Sequence, residues 1–221
     1  MVAFLTKALE FPPPWRANRD GLLAVGGDLR PERLMLAYGT GIFPWPIYEG
    51  LLTWFCPDPR AVLELDGLHV SRSLAKKIRR GEFEIRVNTD FDTVIRACAR
   101  ATPKRPSTWL GKDMIEAYTE LHRLGHVHSV ESWKEGRLAG GLYGVSIGGL
   151  FAGESMFSEA TDASKVALWF LVERMKARGM SLLDVQVMNP HLESLGAVEI
   201  PRRIYLRRLR EAVELKTRFV D

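Results

Sequence analysis

Residues 138–158 read LAGGLYGVSIGGLFAGESMFS, and after a helical stretch residues 181–187 read SLLDVQV. The first run is apolar enough to be buried. Glycines break it and Glu154 interrupts it, so it is a poor membrane span and a good set of buried strands. Gly148-Gly149 supplies a hairpin turn inside it and Glu135-Gly136 another just before, which predicts strands near 127–133, 138–146 and 149–157. From Ala163 to Arg178 the pattern is helical and closes at Gly179, after which SLLDVQV returns to a strand. Hairpins followed by a βαβ unit make the class α+β, with a mixed, largely antiparallel sheet.

Upstream, periodic elements begin near Arg60. They are an AVLEL strand, a basic helix from Ser71 to Gly81, EFEIRV as a strand, a helix from Asp90 to about Ala101, the proline-bearing loop TPKRPSTW and a helix near Lys112 to Leu124. The first sixty residues differ. They hold eight of the twelve prolines, a dense set of aromatics (Trp15, Phe43, Trp45, Trp54, Phe55) and one evident helix, Pro31 to Gly39. A small irregular amino-terminal domain over 1–60 and a larger domain over 61–221 is the expected division. Downstream of SLLDVQV lie a short segment around Leu195 to Ile200 and an arginine-rich terminal helix.

The chain has 221 residues, 46% hydrophobic and 26% charged, which suits a protein that buries a sizeable core. The amino-terminal MVAFLTKALEFPPPW lacks the apolar core and cleavage site of a signal peptide, and the two cysteines, Cys56 and Cys98, stand far apart. Both point to a reducing, cytoplasmic setting without disulfides or a membrane span. His69, His122, His126, His128 and His191 form no paired ligand motif, which argues against structural zinc; His126 and His128 read as two polar positions at a strand edge. No Walker loop is present, and the one G-x-S-x-G match, GVSIG at 144–148, runs into the predicted Gly148-Gly149 hairpin turn instead of a strand-to-helix elbow, so neither nucleotide hydrolysis nor acyl-enzyme chemistry is favoured.

Net charge is only +4, so the distribution of charge matters more than its sum. On the helix capped by Ser71, Arg72, Lys76, Arg79 and Arg80 fall on one face while Leu74 and Ile78 fall on another. Arg202, Arg203, Arg207, Arg208 and Arg210 make a second basic cluster. Both read either as solvated faces or as phosphate contacts. Polar residues planted in apolar strands are the other notable feature. Strand alternation would set Asp184 and Gln186 side by side, with Leu183, Val185 and Val187 facing the opposite way. Burying such groups costs free energy unless each finds a partner, so they are either a hydrogen-bonded core pair or they meet a substrate. Glu154 reads the same way.

Eight colinear stretches, among them GGDL, AYGTGIFPW, WFCPDPRAVL, STWLGKDMIEAY, LHRLGHVHSVE, GGLYGVSIGGLFAGESMFS, DASKVAL and LLDVQVMNPHLESLGAVEIPR, together resemble the leucyl/phenylalanyl-tRNA–protein transferases over nearly the whole chain. The resemblance implies a cytoplasmic aminoacyltransferase with the fold of the acyl-CoA-dependent N-acyltransferases. It would carry Leu or Phe, and as a wider donor range Met, from Leu-tRNA or Phe-tRNA to proteins beginning with Arg or Lys, marking them for degradation. It implies no metal and no cofactor, and a monomer. On the residues, it makes Asp184, Gln186 and Glu154 catalytic, and Leu142, Phe151, Gly153, Met156 and Leu183 the side-chain pocket. Trp54, Phe55, Trp109, Tyr118 and Asn189 fall near the adenosine and aminoacyl end. Arg72, Lys76, Lys77, Arg79 and Arg80 fall on the tRNA acceptor stem. Leu142 stands where some members have Met, Phe55 where some have a second Trp, and Leu171 where a pocket Phe is expected.

An aminoacyl ester is already activated, so such an enzyme must position an unprotonated amine and stabilise a tetrahedral oxyanion. On this expectation Asp184 supplies negative charge, the Gln186 carbonyl oxygen orients the amine and Glu154 holds an ammonium group. Two rivals are an acetyl-CoA-dependent N-acetyltransferase, whose Q/R-x-x-G-x-G/A loop is missing, and a noncatalytic RNA-binding module, which leaves Glu154, Asp184 and Gln186 unexplained.

Overall fold

The computed structural model describes residues 2–48, 50–101 and 108–220; most of the TPKRPSTW loop, residues 102–107, lies outside them. Strands β1 (Ala3–Leu5), β2 (Leu22–Gly26), β3 (Phe43–Tyr48) and β4 (Leu51–Phe55) form a sheet in the order β1-β2-β4-β3, with helix α1 (Pro31–Gly39) between β2 and β3. The amino-terminal sixty residues are therefore more regular than their proline density predicts. Prolines 44 and 46 sit in β3, at the sheet edge, where a missing N–H costs least.

The rest of the chain runs β5 (Arg60–Leu63), α2 (Arg72–Arg80), β6 (Glu84–Val87), α3 (Phe91–Ala99), α4 (Lys112–Arg123), β7 (Val127–Lys134), β8 (Arg137–Ile147), β9 (Leu150–Ser158), α5 (Ala163–Ala177), β10 (Leu182–Gln186), α6 (Pro190–Ser194), β11 (Val198–Ile200) and α7 (Arg202–Val213). Its strands make a second sheet in the order β11-β5-β10-β9-β8-β7-β6. Among the described residues only β9 and β10 pair in parallel in this sheet, joined by the crossover helix α5.

Local chemistry explains the elements that the sequence announces. Glu135 and Gly136 both take positive φ, 51° and 73°, as a tight two-residue hairpin requires. Ser71 Oγ accepts the Leu74 N–H to start α2, and Gly81 ends it in the left-handed region at φ 60°. The glycines of GGLYG serve packing rather than turning. A Cβ on Gly140 would lie 2.6 Å from that of Ala163, and one on Gly144 would meet the Phe151 ring at 2.4 Å.

Alternation along the strands splits the core. Leu142, Phe151 and Leu183 face α5, while Tyr143, Val145 and Ala152 face α3 and α4, and Val62, Leu150 and Leu182 lie under α7. The largest cluster also takes in Tyr38, Phe43 and Trp54, so the two sheets share one core even though strand pairing changes partners between Phe55 and Arg60. No helix among the described residues is long and apolar enough to cross a membrane.

Candidate active site

The parallel pairing of β9 and β10 stops early. Leu182, Leu183 and Asp184 lie opposite Leu150, Phe151 and Ala152, and there the ladder ends. Beyond that point each strand stays with its outer neighbour and bulges. On β9 the register slips at Glu154, since Gly153 opposes Gly144 but Ser155 opposes Tyr143. On β10 it slips at Val185, since Asp184 opposes Val62 but Gln186 opposes Ala61. Bulges bend a strand and re-aim its side chains. The two strands part, and a cavity of about 280 Å³ opens between them.

Its floor and sides are apolar, built from Leu142, Met156, Leu168, Leu171, Leu183 and Val185. Gly153 adds no side chain there. Glu154 and Gln186 are the polar groups at the parting of the strands, and Trp45, Trp109 and Asn189 stand at the rim. Asn189 also caps α6, accepting the Leu192 N–H at 2.9 Å.

The bulge overturns the expectation that Asp184 and Gln186 stand side by side. Gln186 has φ of 65°, rare for a residue with a Cβ, and its side chain reaches the cavity. Asp184 points the other way and is 1% exposed. Its Oδ1 accepts Arg60 Nε at 2.8 Å and the Gln186 N–H at 2.9 Å; its Oδ2 accepts Arg60 Nη2 at 2.6 Å and the Tyr205 hydroxyl at 2.8 Å. A carboxylate so surrounded has no direct route to an amine in the cavity.

Glu154 is where the cavity meets the tyrosines behind it. Its Oε1 accepts Gln186 Nε2 at 2.6 Å and its Oε2 accepts the Tyr118 hydroxyl at 3.0 Å; Tyr118 and Tyr38 share a hydrogen bond of 2.5 Å. Burial, reinforced by the negative charge of Asp184, pushes the Glu154 carboxyl up to about 7, although hydrogen bonds from Tyr38, Tyr118 and Gln186 pull against it. Burial and the charge of Glu154 hold both phenols well above their ordinary range, so they stay protonated donors. A carboxyl poised near neutrality at the end of an apolar cavity is suited to handling an ammonium group or a proton.

Three further expectations change. Trp54 is fully buried, donates Nε1 to the Gly26 carbonyl at 2.9 Å and packs edge-on against Phe11, so it is a core residue of the first sheet. The rim position belongs to Trp45, 38% exposed, with Phe55 half-buried behind it at 5.9 Å between ring centres. Phe151 lies beneath the cavity, packed on Phe219 at 5.0 Å, and does not border it. Tyr118 is one hydrogen bond behind the wall, its ring edge-on to Trp109.

On α2, Arg72, Lys76, Arg79 and Arg80 are exposed and have no ion-pair partner among the described residues. Lys77 is committed to Asp162 at 2.8 Å and to the Thr161 carbonyl at 3.1 Å. In the second basic cluster Arg202 and Arg208 pair with Asp58 and Glu64, while Arg203, Arg207 and Arg210 are exposed. His128 is no edge position: it is buried against Phe219, bonded to Asn88, and held neutral because burial and nearby cationic groups lower it to about 4.

Sequence reasoning missed Tyr38, Arg60 and Tyr205. The one available signal was an arginine set directly before the apolar run AVL, a charge at the mouth of a buried strand.

Comparison with known proteins gives a consistent answer. A profile of the leucyl/phenylalanyl-tRNA protein transferase family matches residues 62–210, and one of that family's N-terminal domain matches residues 27–58. Leucyl/phenylalanyl-tRNA–protein transferases from Pseudoalteromonas atlantica and Syntrophobacter fumaroxidans are 50% and 52% identical to the chain. Each alignment covers 95% of the chain, with 91% and 90% of the relatives. Among solved structures, L-PGS from Bacillus licheniformis aligns with a TM-score of 0.41 at 15% identity, over 76% of this chain and 54% of that one. A GCN5-related N-acetyltransferase-like protein from Streptococcus suis aligns with a TM-score of 0.35 at 11% identity, over 80% and 68%. Likenesses that loose carry no argument about chemistry.

Proposed function

The chain belongs to the leucyl/phenylalanyl-tRNA–protein transferase family, and from that premise we propose that the cavity between β9 and β10 seats the aminoacyl end of the tRNA. As a member it is an enzyme, an aminoacyltransferase acting from tRNA onto protein. The observation that carries the reading is the union of an apolar cavity with the Glu154–Gln186 pair at the parting of the strands.

In the reaction the acceptor's α-amine attacks the ester carbonyl. A tetrahedral oxyanion forms and collapses, the ester C–O bond breaks, and the terminal ribose hydroxyl leaves with a proton while an amide is made. The substrate is already activated, so the protein's task is orientation and proton handling. Gln186 gives its N–H to Glu154, which turns its carbonyl oxygen toward the attacking amine. Glu154, ionised above about pH 7, binds an ammonium group. Asp184 acts through the backbone of Gln186 rather than on substrate. The reading keeps Leu142, Met156, Leu171 and Leu183 as pocket walls, adds Leu168, and leaves Phe151 as the layer beneath. An unbranched or γ-branched side chain enters such a slot more easily than a β-branched one, and one methylene is worth about 1–3 kcal/mol there.

Trp45 and Trp109 offer flat faces to the terminal adenosine, in place of Trp54. Arg72, Lys76, Arg79 and Arg80 neutralise acceptor-stem phosphates of Leu-tRNA and Phe-tRNA. Residues 61–221 form the catalytic unit, and residues 1–60 lend it the Pro44–Trp45 rim. The acceptors are proteins beginning with Arg or Lys, which the added residue marks for degradation; Met is a further donor, and the enzyme works as a cytoplasmic monomer. Transfer of radiolabelled Leu from tRNA to matched proteins beginning with Arg, Lys, Asp or Glu tests this. Labelling confined to Arg and Lys supports the acceptor assignment, and equal labelling of the acidic ones sinks it.

A further inference from the structure

Gln186 enters the cavity only because β10 bulges at Val185, and that bulge is held from the far side of the sheet. A positive φ is strained for a residue with a Cβ and persists only where its surroundings impose it. Here the Gln186 N–H is captured by Asp184 Oδ1 at 2.9 Å. The aim of that oxygen depends on who else holds the carboxylate. Arg60 grips it with two parallel bonds, Nε at 2.8 Å and Nη2 at 2.6 Å, and the Tyr205 hydroxyl adds a third at 2.8 Å. Arg60 is itself clamped, with its guanidinium 4.6 Å from the Phe43 ring centre, 4.4 Å from that of Tyr205, and Nη1 on the Gly41 carbonyl at 3.1 Å.

Both partners of the ion pair are 1% exposed and neither borders the cavity. Removing two charges from water costs about as much as their attraction returns, so such a pair is weak support for stability. A planar two-pronged contact does restrict geometry.

We infer that Arg60 and Tyr205 are positioning residues for the transfer: by fixing both oxygens of Asp184 they hold the Gln186 backbone in its bulge and so set the angle at which the Gln186 side chain meets Glu154 and the acceptor amine. The inference rests on Gln186 orienting that amine. If the Asp184 carboxylate turns, Gln186 loses the bond that sustains its positive φ and swings away from the cavity. A misplacement of about 1 Å in a reacting geometry is enough to cost about 10²-fold in rate.

Tyr205→Phe removes one donor to Asp184 and leaves the ring over the guanidinium. Arg60→Lys keeps the charge without the second prong, and Arg60→Met removes both. For each, kcat and KM for Leu transfer and thermal unfolding are measured, beside Gln186→Ala. Tyr205→Phe is expected to unfold in one cooperative transition, keep its KM for aminoacyl-tRNA, and lose about tenfold in kcat, the scale of one hydrogen bond to a charged group. Arg60→Lys should retain part of the activity that Arg60→Met lacks. A folded Tyr205→Phe protein with wild-type kcat, or one whose loss lies wholly in KM, overturns the inference. Full activity in Gln186→Ala instead removes the role of Gln186 on which it rests, while an impaired Gln186→Ala beside a wild-type Tyr205→Phe strikes only at Arg60 and Tyr205.

Discussion

Glu154 and Gln186 meet at 2.6 Å across a gap where their own strands have stopped pairing. The side-chain bond bridges a break in the backbone ladder, and the break is what admits a substrate. Replacing Gln186 by Glu sets two carboxyl groups against each other there. Like charges raise the pKa of the pair, and a shared proton restores the link. Transfer by Gln186→Glu should fall by about 10²-fold or more at neutral pH, and the ratio of variant to wild-type rate should climb as the pH is lowered. A flat ratio between pH 6 and about 8.5, spanning the range set by a carboxyl near 7 and an amine, would count against a shared proton.

The elevated carboxyl of Glu154 also bears on stability. Its folded value of about 7 lies above the ordinary carboxylate range, so the native protein binds a proton that the unfolded chain has released. The stabilisation is complete below the unfolded value of about 4.3 and is lost as the pH rises through about 7. Wild-type melting temperature should therefore decline across that window more steeply than that of Glu154→Gln. Parallel curves would show that the carboxyl is not displaced.

Gly153 leaves room rather than a turn. A Cβ placed on it would meet only the Asp184 carbonyl oxygen, at 3.7 Å, so Gly153→Ala should fold normally while filling part of the cavity. Phe, the larger side chain, should suffer more than Leu. Competing the two aminoacyl-tRNAs should show Phe transfer reduced about tenfold further than Leu transfer, within the range of one methylene-sized group.

The two tryptophans of the first sheet should separate cleanly. Trp54→Ala excavates a fully buried site and should cost about 3–5 kcal/mol in chemical denaturation. Trp45→Ala should change stability by under about 1 kcal/mol yet weaken binding of a nonhydrolysable aminoacyl-adenosine by about 1–3 kcal/mol, the scale of one base–aromatic stack. The reverse pattern would restore Trp54 to the rim.

On α2 the exposed cations and Lys77 should differ in kind. Charge reversal of Arg72 and Lys76 should flatten the salt dependence of tRNA binding by about two units of log–log slope, and alike for different tRNA bodies. Lys77→Ala leaves Asp162, the residue that leads into α5, with Lys165 as its one cationic partner among the described residues, and should disturb helix packing more than the salt slope. Titrations at several salt concentrations, with melting curves alongside, distinguish the two.

What depends on neighbours in the chain was legible in the order of residues. Hairpins at Glu135-Gly136 and Gly148-Gly149, the βαβ crossover through α5, the capped basic helix and the helix Pro31–Gly39 follow from turn residues, caps and periodicity, all short-range. Colinear motifs brought the family with them. Which side of β10 Asp184 faces was fixed by the folded sheet, because one extra residue in a bulge reverses an alternation that periodicity assumes to be unbroken. Tertiary packing alone supplied the partners as well: Arg60 reaches Asp184 over 124 positions and Tyr38 reaches Tyr118 over 80, and no local pattern records contacts at that separation. The choice of Trp45 over Trp54 has the same cause. Both are aromatic residues in adjacent strands of one sheet, and which one faces the core was settled by what packs against that sheet.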